Sequence, residues 1–376
     1  MKGMGTVLVL GAMAATVALP AIAAPASEGF ASEHAVFVMT NDAETNEVIA
    51  YERNQNGTLH SPHRYPTGGR GSGGKVDPLS SQGSLTLSDD HAFLFAANAG
   101  SGTVSVFRVF GPHLVLTDRV PSGGSEPNSV AQHGKLVYVL NTAGSSSVVG
   151  FQLHEGALRR IPDSLRFLSA NLVNSGSVAF SNDGRFLVVT EIATNKIDVF
   201  RVLPDGRLSP ITVNPGVGKG TFSAVFSPSD AVLVSETGGP GANSSTTSSY
   251  RIQPDNTLLP ISPTVPTLGT ANCWNVVTPD GRFVYTSNAG TSSISGFSIG
   301  ANGSLTPLPG TVVGLNPSGS TNLDVAVSAD GAYLYSLNAG SGSVGIFQIE
   351  HDGSLTNFGT VGGLPAGAGL NGIAAN

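Results

Sequence analysis

The chain has 376 residues, 25 acidic against 18 basic, for a formal charge of −7. A mildly acidic surface with no basic run excludes a nucleic-acid partner. A single cysteine, Cys273, excludes an internal disulfide, and a chain of this length buries enough core without one.

Reading from the N-terminus, MKGMG carries one lysine, TVLVLGAMAATVAL is apolar, and PAIAA ends in small residues. That is the layout of a secretory leader, with cleavage expected after Ala23. The expected organisation is a signal peptide over 1–23, a linker over 24–33 and one domain over 34–376. Removal of the leader takes only Lys2 among the charged residues, so the mature protein is expected outside the cytoplasm, secreted or periplasmic, and free of the membrane. No later stretch is long and apolar enough to span a bilayer.

From residue 34 onward one unit repeats. FVYTSNAGTSSISGFSIGANGSLTPL (283–308) recurs as YLYSLNAGSGSVGIFQIEHDGSLTNF (333–358), and again in FLFAANAGSGTVSVFRVF. An aromatic marks each copy: Tyr51, Phe107, Phe151, Phe200, Tyr250, Phe297 and Phe347. A leucine follows each one, usually within Gly-x-Leu: Leu59, Leu114, Leu158, Leu208, Leu258, Leu305 and Leu355. The period is about 49 residues. Each copy divides into four short β-branched segments separated by Asp-Gly, Asn-Gly or Ala-Gly turns, where glycine adopts positive φ without a steric penalty. Four strands per unit of this length, seven times, predicts an all-β, seven-bladed β-propeller. The C-terminal LNGIAA resembles the innermost strands NSVAQ, GSVAF and LDVAV, and the first copy lacks such a strand. The last strand is therefore expected to complete blade one and remove an open edge.

Several short motifs suggest chemistry. TGGRGSGGK (67–75) resembles a phosphate cradle, but Val76 stands where Ser or Thr is needed and Asp77-Pro78 disfavours a following helix. It reads as a loop between blades one and two, near the channel mouth, where Arg70 and Lys75 could hold an anion. GFSIG (296–300) has nucleophile-elbow spacing but falls inside a strand. His60 and His63 have no third ligand nearby in sequence, so no metal is expected. No cofactor is expected either.

The second strands end in a ring of Asn41, Asn98, Asn141, Glu191, Glu236, Asn288 and Asn338. Asparagine there can close the following turn or, as at Asn288, meet a ligand. Glu191 and Glu236, in neighbouring blades, could divide acid and base roles. Lys219, between them, could pair with either and stabilise an oxyanion. The innermost strands begin with Ser84, Ser129, Ser177, Ser223, Trp274 and Asp324, with Gly372 completing the ring. Trp274 could form a flat wall for a sugar or aromatic ring, or plug the channel. Asp324 could meet a ligand or bond neighbouring strand amides.

With these residues in view, the chain resembles the seven-bladed propeller lactonases, which include 6-phosphogluconolactonase-type and carboxymuconate-cyclase-type proteins. The resemblance rests on the SxDG-type turns (Ser328–Gly331 and Thr278–Gly281), the SNAG and LNAG segments and the Gly-x-Leu turns, and covers residues 34–376. TGGRGSGG…LSSQGSLTLS and ANCWNVVTPDGRFVYTSNAG look like one secreted subgroup. The resemblance implies a monomeric lactone hydrolase or lactone-forming isomerase, with Glu191 at the family's glutamate position. The Arg and His residues expected where inner strands begin are replaced by Asn128-Ser129, Gly176-Ser177 and Phe222-Ser223. A phosphorylated lactone, which wants arginines, is thereby disfavoured. The other reading is a non-catalytic propeller that binds a carbohydrate or a protein.

Overall fold

The computed structural model describes Met1 and residues 34–376. The expected leader and linker lie outside the described residues, Met1 apart. Seven antiparallel sheets follow one another, each with its strands in sequence order from the inside out, except that blade one takes its innermost strand from the C-terminus. Blade four shows the plan: Ser175–Phe180 innermost, then Phe186–Glu191, Lys196–Arg201 and Thr212–Pro215. Blade three differs in its outer edge, where Ala157–Arg160 and Arg166–Phe167 share the place of one strand. Among the described residues the only helical turn is Ala99–Ser101, and no helix is long and apolar enough to cross a membrane.

The clasp expected from LNGIAA is present. Ile373–Ala375 pairs antiparallel with Ala35–Met39, Val38 facing Ile373 and Val36 facing Ala375. A nearly buried Arg53 adds an ion pair from blade one to Asp330 of blade seven, at 2.7 Å.

Side chains of the second strands and the outer-turn leucines make contacts between blades. A second-strand tyrosine donates its hydroxyl to the glycine carbonyl of the next blade's outer turn: Tyr138 to Gly206, Tyr285 to Gly353 and Tyr335 to Gly57. Gly57 has φ +79°, and a Cβ there would stand 2.3 Å from the Tyr333 ring, so this turn requires glycine twice over. The leucine two positions on is buried in most copies, including Leu59, Leu158 and Leu208. Both faces of each blade are therefore apolar, which is what radial stacking demands.

Each strand plan places two kinds of connection on opposite faces. One face carries the SxDG-type turns. The other carries the links between blades and the loops after the second strands, and so receives the Asn/Glu ring.

Candidate functional site

The channel mouth on the Asn/Glu face is occupied by the chain itself. The segment leading out of TGGRGSGGK descends into it and bonds to blades on several sides. Gln82 N–H donates to Gly176 O of blade four, and its side-chain amide exchanges two hydrogen bonds with the Asn275 backbone of blade six. Ser81 Oγ donates to Asn128 O of blade three, and Trp274 Nε1 donates to Ser81 O at 2.8 Å. The residues that follow the expected anion-binding loop thus form a plug. Its Gln82 amide and the Ser81 and Gln82 side chains bond to distant blades, a feature sequence spacing does not reveal. Arg70 and Lys75 remain on its exposed surface.

The plug decides several expectations. Trp274 is 0 % exposed, meets Phe222 edge-on at 4.9 Å and packs against the plug in the closed channel, at the back of the concavity beside it. Asp324 is buried and accepts from Val325 N and Ile373 N, the strand-bonding role. Burial pushes its carboxyl up to about 7, as it does that of Asp77 in the plug. Below the plug the channel is a well of about 370 Å³ opening on the opposite face, lined in part by Gln82, Gln132, His133 and Asn182. A second concavity, of about 560 Å³, lies beside the plug against blades six and seven, with Val76, Thr291 and Leu323 on its walls. Among the described residues no cluster of three or more His, Cys, Asp or Glu side chains could hold a metal.

The Asn/Glu ring is a set of struts. Asn288 is buried, and its amide donates to Ser293 Oγ and Ser295 Oγ, so it serves the sheet rather than a ligand. Asn98 does the same with Thr103 and Ser105. Against four of the seven struts lies a glycine of the link from the preceding blade. A Cβ on Gly69, Gly124, Gly218 or Gly269 would come within 2.6 Å of Asn98, Asn141, Glu236 or Asn288. The strand position facing the strut is Thr103, Ser147, Thr246 or Ser293. Two residues further, on the same side of the strand, stands a serine in blades two, five and six: Ser105, Ser248 and Ser295.

Blade four breaks this pattern at all four places. Its strut is Glu191, the residue lying on it is Ser169, the facing residue is Lys196, and two further on is Asp198. Ser169 N–H donates to Glu191 Oε1 at 2.8 Å and Ser169 Oγ to Oε2 at 2.7 Å. Thr194 Oγ1 also donates to Oε2. Lys196 Nζ donates to Ser169 Oγ at 3.0 Å. Glu191 and Asp198 are both 0 % exposed, whereas Ser169, Thr194 and Lys196 are half-buried. Burial, then the adjacent Glu191 charge, push Asp198 up to about 9, so it is protonated at neutral pH. Burial also acts against the Glu191 carboxylate, but the protonated Asp198, Thr194 and Ser169 outweigh it and hold it below its ordinary value.

Glu236 is a strut of the ordinary kind. Gly218 N–H donates to its Oε1 at 3.0 Å, Thr246 Oγ1 donates to Oε2, and burial raises its carboxyl. Lys219 pairs with neither glutamate among the described ion pairs; it is exposed and runs beside Gly239. The expected site thus contracts to Glu191. The residues that sequence reading missed are Ser169, Lys196 and Asp198. Once third strands are aligned, Asp198 stands out as a charge where the other blades have Ile49, Ser105, Val149, Ser248, Ser295 and Gly345, whereas Lys196 shares its column with another charge, Glu47.

Comparison with known proteins agrees with the fold. Residues 26–174 match the model of the family described as Lactonase, 7-bladed beta-propeller. The resemblance to the seven-bladed propeller lactonases is thereby borne out. Among solved structures, a putative 6-phosphogluconolactonase from Bacteroides uniformis superposes with a TM-score of 0.68 at 18% identity, covering 92% of this chain and 100% of its own. A periplasmic gluconolactonase from Pseudomonas aeruginosa gives 0.65 at 17% identity, covering 90% and 98%. A hypothetical selenium-binding protein from Sulfolobus tokodaii gives 0.62 at 11%, covering 92% and 93%. Identities this low carry the architecture alone. No curated protein sequence matches the chain.

Proposed function

We propose that the protein hydrolyses a lactone, a cyclic ester without a phosphate group, at the rim of blade four, with Glu191 as the base of the reaction. The observation that carries this reading is the departure of blade four from the strut pattern of blades two and six at all four places: Ser169, Glu191, Lys196 and Asp198 where those blades use Gly, Asn, Thr or Ser, and Ser. A strut needs none of these groups, since Gly218, Thr246 and Ser248 support Glu236 without them. Acyl transfer needs an acceptor for a proton, a hydroxyl and a positive charge near the developing oxyanion, and blade four holds all three within hydrogen-bond distance. The matched lactonase model and the gluconolactonase neighbour point to the same substrate class. The protein works as a monomer outside the cytoplasm after losing its first 23 residues, with no cofactor.

The test is a pH-stat assay of the protein against γ- and δ-lactones, beside Glu191→Gln. Turnover that falls at least a hundredfold in the variant, with its melting temperature within a few degrees, supports the reading. No turnover on any lactone defeats it. The rival reading, carbohydrate binding without catalysis, draws on the well of the opposite face, where Gln132, His133, Asn182 and Asp89 present polar groups suited to sugar hydroxyls. Glycan binding lost on Gln132→Ala, with no lactone turnover, would favour it.

A further inference from the structure

Glu191 cannot itself meet a substrate. It is fully buried, and its oxygens are covered by Ser169 N–H, Ser169 Oγ and Thr194 Oγ1. The half-buried Ser169 carries the hydroxyl over this carboxylate, and that hydroxyl stands between the carboxylate at 2.7 Å and the Lys196 ammonium at 3.0 Å. Resting on the lactone reading above, we infer that Ser169 is a catalytic nucleophile and that the reaction passes through an ester between Ser169 and the opened lactone.

Three observations support the inference. First, capping does not explain the hydroxyl. At the equivalent place in blade five, Gly218 caps Glu236 with its backbone N–H alone. Second, the hydrogen bonds run in the productive direction. Ser169 Oγ donates to the carboxylate and accepts from the ammonium, so a base and a cation already act on one oxygen. Third, the surroundings hold the cluster in place. Lys196 and Asp198 project from one side of a central strand, Thr194 closes the loop between strands, and Ser169 follows the buried Leu168, whose N–H donates to Ser146 O.

The steps balance as follows. Ser169 Oγ bonds to the lactone carbonyl carbon while its proton passes to Glu191 Oε2. Lys196, which has N–H groups beyond the one given to Ser169, stabilises the oxyanion. The ring C–O bond breaks, and the leaving alkoxide takes the proton from Glu191, leaving an ester on Ser169 with a free hydroxyl at the far end of the chain. Water then attacks that ester and gives a proton to Glu191. Ser169 Oγ leaves, recovers the proton, and the hydroxy acid departs.

The experiment uses the purified full chain with two probes, an alkyl fluorophosphonate and an alkynyl β-lactone, read by intact and peptide mass spectrometry. The expected result is one adduct, mapped to Ser169 and absent from Ser169→Ala. Labelling should slow at least tenfold in Glu191→Gln and in Lys196→Met. Melting temperatures within a few degrees of the parent confirm that each variant is folded, and Ser169→Thr supplies a second folded variant that keeps a hydroxyl. δ-Lactone turnover should fall at least a hundredfold in Ser169→Ala. No adduct on Ser169, or full turnover by Ser169→Ala, overturns the inference. If Glu191→Gln is inactive while Ser169→Ala is not, the lactone reading stands and water is the nucleophile. If Ser169 is labelled but no lactone is turned over, the nucleophile stands and the lactone reading falls.

Discussion

Blades four and five are built on the same backbone and put a glutamate at the same place, yet the two carboxyls move in opposite directions. Glu191 lies below its ordinary value, surrounded by donors that include a protonated Asp198. Glu236 lies above it, because burial outweighs the help of Thr246, Ser248 and Gly218. The position on the fold is therefore not what makes a carboxylate functional. What differs is the three residues around it: Ser169 for Gly218, Lys196 for Thr246, and Asp198 for Ser248. In blade five the neighbours hold a side chain still. In blade four they bring a hydroxyl between a base and a cation.

The sharpest way to break this comparison is to turn one blade into the other. Ser169→Gly with Lys196→Thr and Asp198→Ser keeps Glu191 but gives it the surroundings of Glu236. Lactone turnover should fall about a thousandfold or more, corresponding to about 4 kcal/mol of transition-state stabilisation. The melting temperature should hold within a few degrees, since the same set already supports blade five. Turnover surviving in this triple variant would separate the activity from blade four.

A second contrast sets the rim against the plug. Gln82 ties blade two to blades four and six across the channel mouth. Gln82→Ala leaves the Asn275 backbone unpaired and should cost about 1–3 kcal/mol in denaturant unfolding. If the reaction takes place at blade four, kcat should stay within about threefold. A large fall in kcat would return the site to the channel mouth.

The difference between these regions also explains what the sequence makes visible. The blades are legible because their markers are bulky and periodic: an aromatic such as Phe347 recurs in every copy and is buried, and a leucine such as Leu208 follows it and is buried in most. The clasp is legible because Ile373–Ala375 has the apolar character of the strands it imitates. Glu191 is legible as an exception in a column of asparagines. The plug is not, because its bonds run from side chains such as Gln82 and Ser81 to backbone groups in distant blades, and a glycine-rich composition looks the same whether the loop is loose or fixed. Ser169 is hidden for another reason. The links between blades vary in length, so no repeat register assigns it to the column of Gly69, Gly218 and Gly269 until contacts do.

A graded, pH-dependent effect is expected from Asp198. Its native carboxyl is raised to about 9, whereas in the unfolded chain it has an ordinary value near 4. Between those values the native state binds the extra proton, so stability falls as pH rises. Asp198→Asn stays neutral and removes that slope. The variant should gain on the parent from about pH 4 to about pH 9, by at most about 1.4 kcal/mol per pH unit, and no further above. Urea unfolding at a series of pH values measures it, and a constant difference across the range would contradict a buried, protonated Asp198.

The smallest effect on turnover is expected at Glu236→Gln. The amide oxygen can still accept from Gly218 N–H, and the raised carboxyl it replaces gains little from being charged. Thr246 and Tyr250 remain around it, and Tyr250 keeps its bond from Val217 N–H at 3.0 Å. Turnover should change by less than about threefold while Glu191→Gln loses a hundredfold. A Glu236→Gln loss approaching that of Glu191→Gln would restore the two glutamates to a shared acid–base pair across neighbouring blades. A near-silent Glu236→Gln would mean that two carboxylates in one fold position differ because of Ser169, Lys196 and Asp198, and that chemistry entered this ring through the neighbours of a strut.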